Sequence, residues 1–251
     1  MWHDRRMRIL VGGTVAALLV AVVVGMFTLG GGGTSLADAA ERVQGMSLRS
    51  DVTMSMVVEG TPVEMKGKLL ASADTKRTRM DLEGAGMKQT LIVVNGDLWM
   101  GGPAFEDALP KGKRWVLVED GARTSLDAMS FDELMTFLEG ATDVEERGKT
   151  EIDGVSVTHY AGTVDLKAAL EKAGEDLADH ADLLKQSPVM PIECWIDDEG
   201  NPVRIKTGMT VDGSKVEMTV DNLELGAPVD VDAPPADETI SAEEAGIPID
   251  G

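Results

Sequence analysis

The sequence predicts an α+β fold: a curved antiparallel sheet of about eleven strands, two or three helices covering its concave face, and an apolar helix ahead of the domain. Three observations lead there. From residue 51 onward, apolar side chains recur mostly at every second position, the period of a half-buried strand. Turn dipeptides interrupt that pattern at short intervals, as at Asn95-Gly96, Asp153-Gly154 and Asp212-Gly213. Two later stretches, opening at Ser130 and Asp165, change to helical spacing.

The amino terminus sets the compartment. Residues 1–8 are a basic segment in which Arg5, Arg6 and Arg8 precede Ile9–Leu29, 21 residues without a charge. That length matches the ~20 residues needed to cross the hydrocarbon core, and the basic flank favours a cytoplasmic amino terminus. Ala37-Asp38-Ala39 supplies a signal-cleavage pattern, so 9–29 reads either as a single-pass anchor with the rest of the chain outside the cell membrane or as a signal removed on secretion. A glycine-rich spacer, 30–34, joins it to an extracytoplasmic domain expected over 35–235, with an acidic tail at 236–251. Ser35-Leu36-Ala37-Asp38 opens a short amphipathic helix bearing Leu36, Ala40 and Val43, and Gly45 ends it.

The strands follow. In DVTMSMVVEG, Asp51–Gly60, the residues Val52, Met54, Met56 and Val58 share one side, while Asp51, Thr53 and Ser55 share the other; Val57 is the exception. Glu59–Pro62 separates this run from 63–71, and Glu83–Gly86 separates 75–83 from 88–94. Asn95-Gly96 leads to 97–101, 114–118 stands alone, and Asp153-Gly154 joins 147–152 to 155–163. The run 191–197 turns through Asp198–Pro202 into 202–211, which turns at Asp212-Gly213 into 214–224. The expected topology is one long meander broken twice by helices. Ser130-Phe131-Asp132-Glu133 is a capping box, followed by Leu134, Phe137 and Leu138 on one face and stopped by Gly140. A second helix, Asp165 to about Gln186, sets Leu166, Leu170, Ala173, Leu177, Leu183 and Leu184 against Glu171, Glu175, Asp176 and Asp179. From Asp221 onward there are nine acidic residues and no lysine or arginine; from Pro228 the expectation is an extended strap fading into disorder.

Composition narrows the function. A net charge of −21 and a pI near 4.4 argue against nucleic acid as a partner, since phosphate binding needs clustered cations. With a single cysteine, Cys194, there is no internal disulfide framework; with His3, His159 and His180 scattered, no metal-ligating pair is expected. No nucleophile elbow, dinucleotide loop or phosphate loop occurs, and Ser125 has no base near it in sequence. Asp197–Asn201 is acidic enough to suggest calcium but lacks the alternating ligands of a calcium loop, and reads as a hairpin turn. His180 reads as a boundary residue, Cys194 as a small buried hydrophobe, and Trp99, Trp115 and Trp195 as core or rim. No enzyme, cofactor or metal site is expected.

The segments TDVEERGKTEIDGVSVTHYAGTVDLKAAL, Thr142–Leu170, and PIECWIDDEGNPVRI, Pro191–Ile205, carry a resemblance. In them, Gly-Val-x-x-x-His-Tyr and Trp-Ile-Asp-x-x-Gly-x-x-x-Arg resemble the LppX/LprAFG-like envelope lipoproteins of actinobacteria and, more remotely, the LolA-like lipoprotein carriers. The likeness runs from about Ser35 to Pro235. It implies an eleven-stranded half-barrel whose helices cap a hydrophobic cavity for acyl chains of lipids or lipoglycans. This chain departs from that pattern at Leu29-Gly30-Gly31-Gly32, where glycine stands in place of the acylated lipobox cysteine, so anchoring falls to the apolar helix or is absent.

Methionine points the same way: the chain has 15 Met but only nine Phe, Trp and Tyr together. Unbranched, polarizable side chains re-pack against variable apolar surfaces better than rigid rings do. The expected wall comprises Met54, Met56, Met65, Met80, Leu82, Val93 and Met100, faced by Leu134, Phe137, Leu138 and Leu177 from the helices; the same residues packing on one another would give a filled core. Gly101–Lys113, with Phe105 and Leu109, is a candidate gate or an ordinary surface loop. The function expected is holding or transferring acyl chains of lipid, lipoglycan or lipoprotein at the envelope membrane. The alternatives are a tethered sensor module binding another envelope protein, or a structural protein with no cavity.

Overall fold

Alternation resolves into strands wherever a turn residue lets the chain reverse. At Asp153 and Gly154 both φ angles are positive, 49° and 83°, the twist that matches flanking antiparallel strands. The computed structural model describes residues 46–58, 61–72, 77–95, 97–103, 109–118, 141–173, 177, 181–211 and 214–246. The strands are β1 (Leu48–Val58), β2 (Thr61–Ser72), β3 (Arg77–Gly84), β4 (Met87–Val94), β5 (Asp97–Gly101), β6 (Trp115–Val118), β7 (Ala141–Ile152), β8 (Val155–Asp165), β9 (Val189–Asp197), β10 (Pro202–Val211), β11 (Ser214–Leu225) and β12 (Thr239–Ser241). Two helices, α1 (Leu166–Ala173) and α2 (Ala181–Gln186), fall within the stretch expected as one helix.

All twelve strands form one sheet in the order β12-β6-β5-β4-β3-β2-β1-β11-β10-β9-β8-β7. A sheet this wide twists and curls. The topology corrects the single meander: β1–β6 form one, β7–β11 a second, and they join where β1 pairs antiparallel with β11. Pairing the ends of the two runs places Val52, Met54 and Met56 opposite Val220, Met218 and Val216, so the apolar faces of both meanders become continuous.

The acidic carboxyl-terminal segment is the second correction. Pro228–Pro235 joins no helix or strand, but 236–246 does not fade into disorder. A single 3₁₀ turn, Ala236–Glu238, leads into β12, which pairs parallel with β6 and supplies the twelfth strand. Three basic side chains hold this strap by its carbonyls: Arg49 donates to Pro228, Arg77 to Val231 at 2.9 Å, and Lys113 to Asp237 and Thr239 at 3.0 and 2.7 Å. Arg77 also pairs with Asp232 at 3.1 Å. Val231, 3% exposed, packs with Ile92, Val94 and Trp99 in a small cluster separate from the main core. The strap is thus docked mainly through its backbone carbonyls, with one Arg77–Asp232 pair, and its valines add apolar burial.

Both helices lie on the opposite side of the sheet. The Asp165 carboxylate accepts from the Ala168 backbone N–H at 3.0 Å and so caps α1, whose Leu166 is 1% exposed in the main core. α1 packs on β8 and α2 on β10.

Candidate functional site

The candidate site is the helix-side face of the sheet. Register pairs set its side chains in cross-strand rows. One row runs Ile192, Thr207, Met218, Met54, Met65, from β9 to β2. The next runs Tyr160, Cys194, Ile205, Val220, Val52, Gly67, Leu82, Gln89, from β8 to β4. A third runs Ser50, Leu69, Met80, Leu91, Met100, Val116, Ile240, from β1 to β12.

The residues expected as the sheet wall share one buried cluster, the packing that the filled-core alternative also gives. Met54, Met56, Met65, Met80, Leu82 and Met100 are all buried in the main core, between 0% and 9% exposed, and Val93 packs half-buried against them. Leu177 also packs against this cluster, half-buried, from the segment between α1 and α2. Leu134, Phe137 and Leu138 lie outside the described residues, as do Phe105 of the candidate gate and His180; Leu109 packs half-buried on the same core. The sequence reading left three methionines out of the wall: Met190, Met209 and Met218. Alternation in 189–197, 202–211 and 214–225 carried their signal, but a single meander gave no reason to place those strands beside β1. Among the described residues, eight methionines thus sit in one buried cluster.

Gly67 breaks the middle row. A Cβ there would stand 1.7 Å from the Asp81 carbonyl oxygen, so β2 and β3 approach as only glycine allows and the wall has no side chain between Val52 and Leu82. Among the described residues no charged side chain is buried; the buried polar ones are Ser50, Ser72, Ser187 and Thr207. Thr207 donates to the Pro191 carbonyl at 3.0 Å. Ser50 Oγ and Gln89 Nε2, both on wall rows, are buried without a hydrogen-bond partner. Such a group costs about 1–3 kcal/mol when left unpaired. Cys194 is buried on the wall as expected, and burial pushes its thiol up to about 12, far from the thiolate that nucleophilic or metal chemistry requires.

Away from the Val231 cluster the opposite face is polar. Burial works to raise the Asp81 carboxyl, but hydrogen bonds from Arg79 (2.8 and 2.9 Å) and Thr90 (2.6 Å) outweigh it and hold the group below its ordinary value. Farther along, His159 stacks on Trp195 with ring centroids 4.4 Å apart and planes 3° from parallel. His159 also meets Glu193 at 2.9 Å; Arg204 lies 5.8 Å over the Trp195 ring and bonds to Asp221. The Asp197 carboxylate accepts from the Glu199 and Asn201 backbone N–H groups at 2.9 and 2.8 Å, so the acidic run suggestive of calcium is a hairpin turn closed by its own first residue. Among the described residues no helix is long and apolar enough to cross a membrane, and Ile9–Leu29 lies outside them.

No protein-family model matches the sequence, and no curated protein does either. Among solved structures the chain is similar to LprF from Mycobacterium bovis, at 17% identity and a TM-score of 0.46, covering 78% of this chain and 93% of that one. It is similar to the lipoprotein LppX from Mycobacterium tuberculosis, at 16% identity and 0.44, covering 85% and 98%. A weaker likeness, at 16% and 0.37 over 80% of this chain and 57% of that one, is to the MucA/MucB complex of Pseudomonas aeruginosa.

Proposed function

We propose that this chain is an extracytoplasmic lipid-binding protein that holds acyl chains of a lipid, lipoglycan or lipoprotein between the sheet and its helices. One observation carries the reading: a continuous apolar face across β1–β6 and β8–β11, rich in methionine and, among the described residues, free of buried charge. Each ligand CH₂ that leaves water for such a face contributes about 0.8 kcal/mol, so a C16 chain gains on the order of 10 kcal/mol before ordering costs. Methionine lets one wall accept chains of differing length and unsaturation, because its rotamers adjust at little cost. An apolar amino-terminal segment ahead of a glycine spacer would keep the domain beside the membrane that supplies its ligand.

Native purification from membranes followed by mass spectrometry of the intact complex tests this. The expected result is a protein peak carrying lipid mass that is lost on organic extraction. A protein that emerges empty, and takes up no lipid from labelled vesicles, overturns it.

A further inference from the structure

Ser50 stands where an apolar residue would complete the wall. It is 4% exposed, its Oγ has no hydrogen-bond partner, and it heads the row that continues through Leu69, Met80, Leu91, Met100 and Val116. None of those neighbours offers a polar side-chain atom. On its other flank the β1–β11 register slips between Arg49 and Asp51, so Ser50 sits at an irregularity in the ladder, a feature common beside binding sites. A buried hydroxyl left unpaired in the protein alone is accounted for when something else supplies its partner.

We propose that Ser50 is a specificity-determining residue of the wall: its hydroxyl donates to an oxygen carried on an otherwise apolar ligand, an ester carbonyl or a chain hydroxyl. The inference rests on the lipid-binding reading and adds which ligand atom the wall selects. The row from Ser50 to Val116 crosses six strands, roughly 24 Å at the usual strand spacing. A chain lying along it would have apolar contact throughout and one hydrogen bond at its β1 end. An ionised group does not fit there, because no buried cation accompanies Ser50 among the described residues. The other unpartnered wall atom, Gln89 Nε2, belongs to a half-buried residue three strands away and is outside the proposal.

The test uses the full chain in detergent and two pyrene-labelled probes of equal length, an alkane and the corresponding ester. Wild type should bind the ester about three- to tenfold more tightly than the alkane, the range of one net hydrogen bond. Ser50→Ala should bring the ratio close to one, and Ser50→Thr, which keeps the hydroxyl, should restore it. An ester preference unchanged in Ser50→Ala, or absent in wild type while both probes bind, overturns the role of Ser50 and leaves the lipid-binding reading standing. Failure of wild type to bind either probe overturns both.

Discussion

Met54 and Thr53 are adjacent in β1 and live in different solvents. Met54 is fully buried, between Met65 and Met218 on the helix side; Thr53, half-buried on the other, stands between Lys66 and Thr219. The contrast extends across the sheet. The helix side is covered with long aliphatic side chains and leaves Ser50 unpartnered, whereas the strap side is laced with Arg79–Asp81, Arg204–Asp221 and the cations that hold the carboxyl-terminal segment. A face whose charged groups are paired is finished as a surface. The buried apolar face is the one on which the lipid-binding proposal rests.

The largest expected effect breaks that contrast directly. Met54→Asp places a charge where no partner exists and should destabilise the fold by about 4 kcal/mol, the cost of an uncompensated buried charge. Thr53→Asp, one residue away, should stay within about 0.5 kcal/mol of wild type. Urea unfolding of both variants reads the difference directly. Equal, small effects would mean that water reaches Met54 and that the two faces are not distinct.

The strap side is the part that composition hid. Alternation and turn residues marked most strand positions, and even the motifs that suggested a family are explained by contacts. Gly154 sits at a turn that needs positive φ, His159 stacks on Trp195, Asp197 closes the next turn, and Arg204 lies over the same indole. The turns were legible from local pattern; the contacts of Trp195 with His159 and Arg204 were not, and the stack on His159 joins β8 to β9 across both helices. The β1–β11 junction and β12 were not legible, because each pairs segments more than a hundred residues apart and nothing in a strand's own sequence names its partner. Acidic, proline-rich chain resembles disorder until the arginines that grip it are known to face the same way. For the same reason five wall methionines were found in the first meander and three were missed in the second.

A middle-sized effect sharpens the strap's share. Val231 is 3% exposed against Ile92, Val94 and Trp99, so Val231→Ala should cost about 2 kcal/mol, in the range for truncating a buried aliphatic side chain. Limited proteolysis should then cut the variant within 227–246 faster than wild type, while the helix-side core keeps its protection in hydrogen exchange. Uniform loss of protection across both faces would show that the strap is part of a single cooperative core and not a separately fastened layer.

The smallest effect concerns acid. Asp81 is held below its ordinary value through Arg79 and Thr90, so its contribution is present above the unfolded carboxylate range near pH 4 and is lost as pH falls through the lower folded value. Both partners of the ion pair are about two-fifths exposed, at 41% and 43%, so solvent screening limits the contribution to about 0.5 kcal/mol. Asp81→Asn should therefore be slightly less stable than wild type at pH 7 and equal to it near pH 2, with the two stability curves converging between. The helix side offers no such titration, because no charged side chain is buried there among the described residues. Met54→Leu should accordingly shift stability by the same amount at every pH. A pH-dependent difference for Met54→Leu would mean that an ionising group faces the wall, and that division of chemistry between the faces would fail at its most buried point.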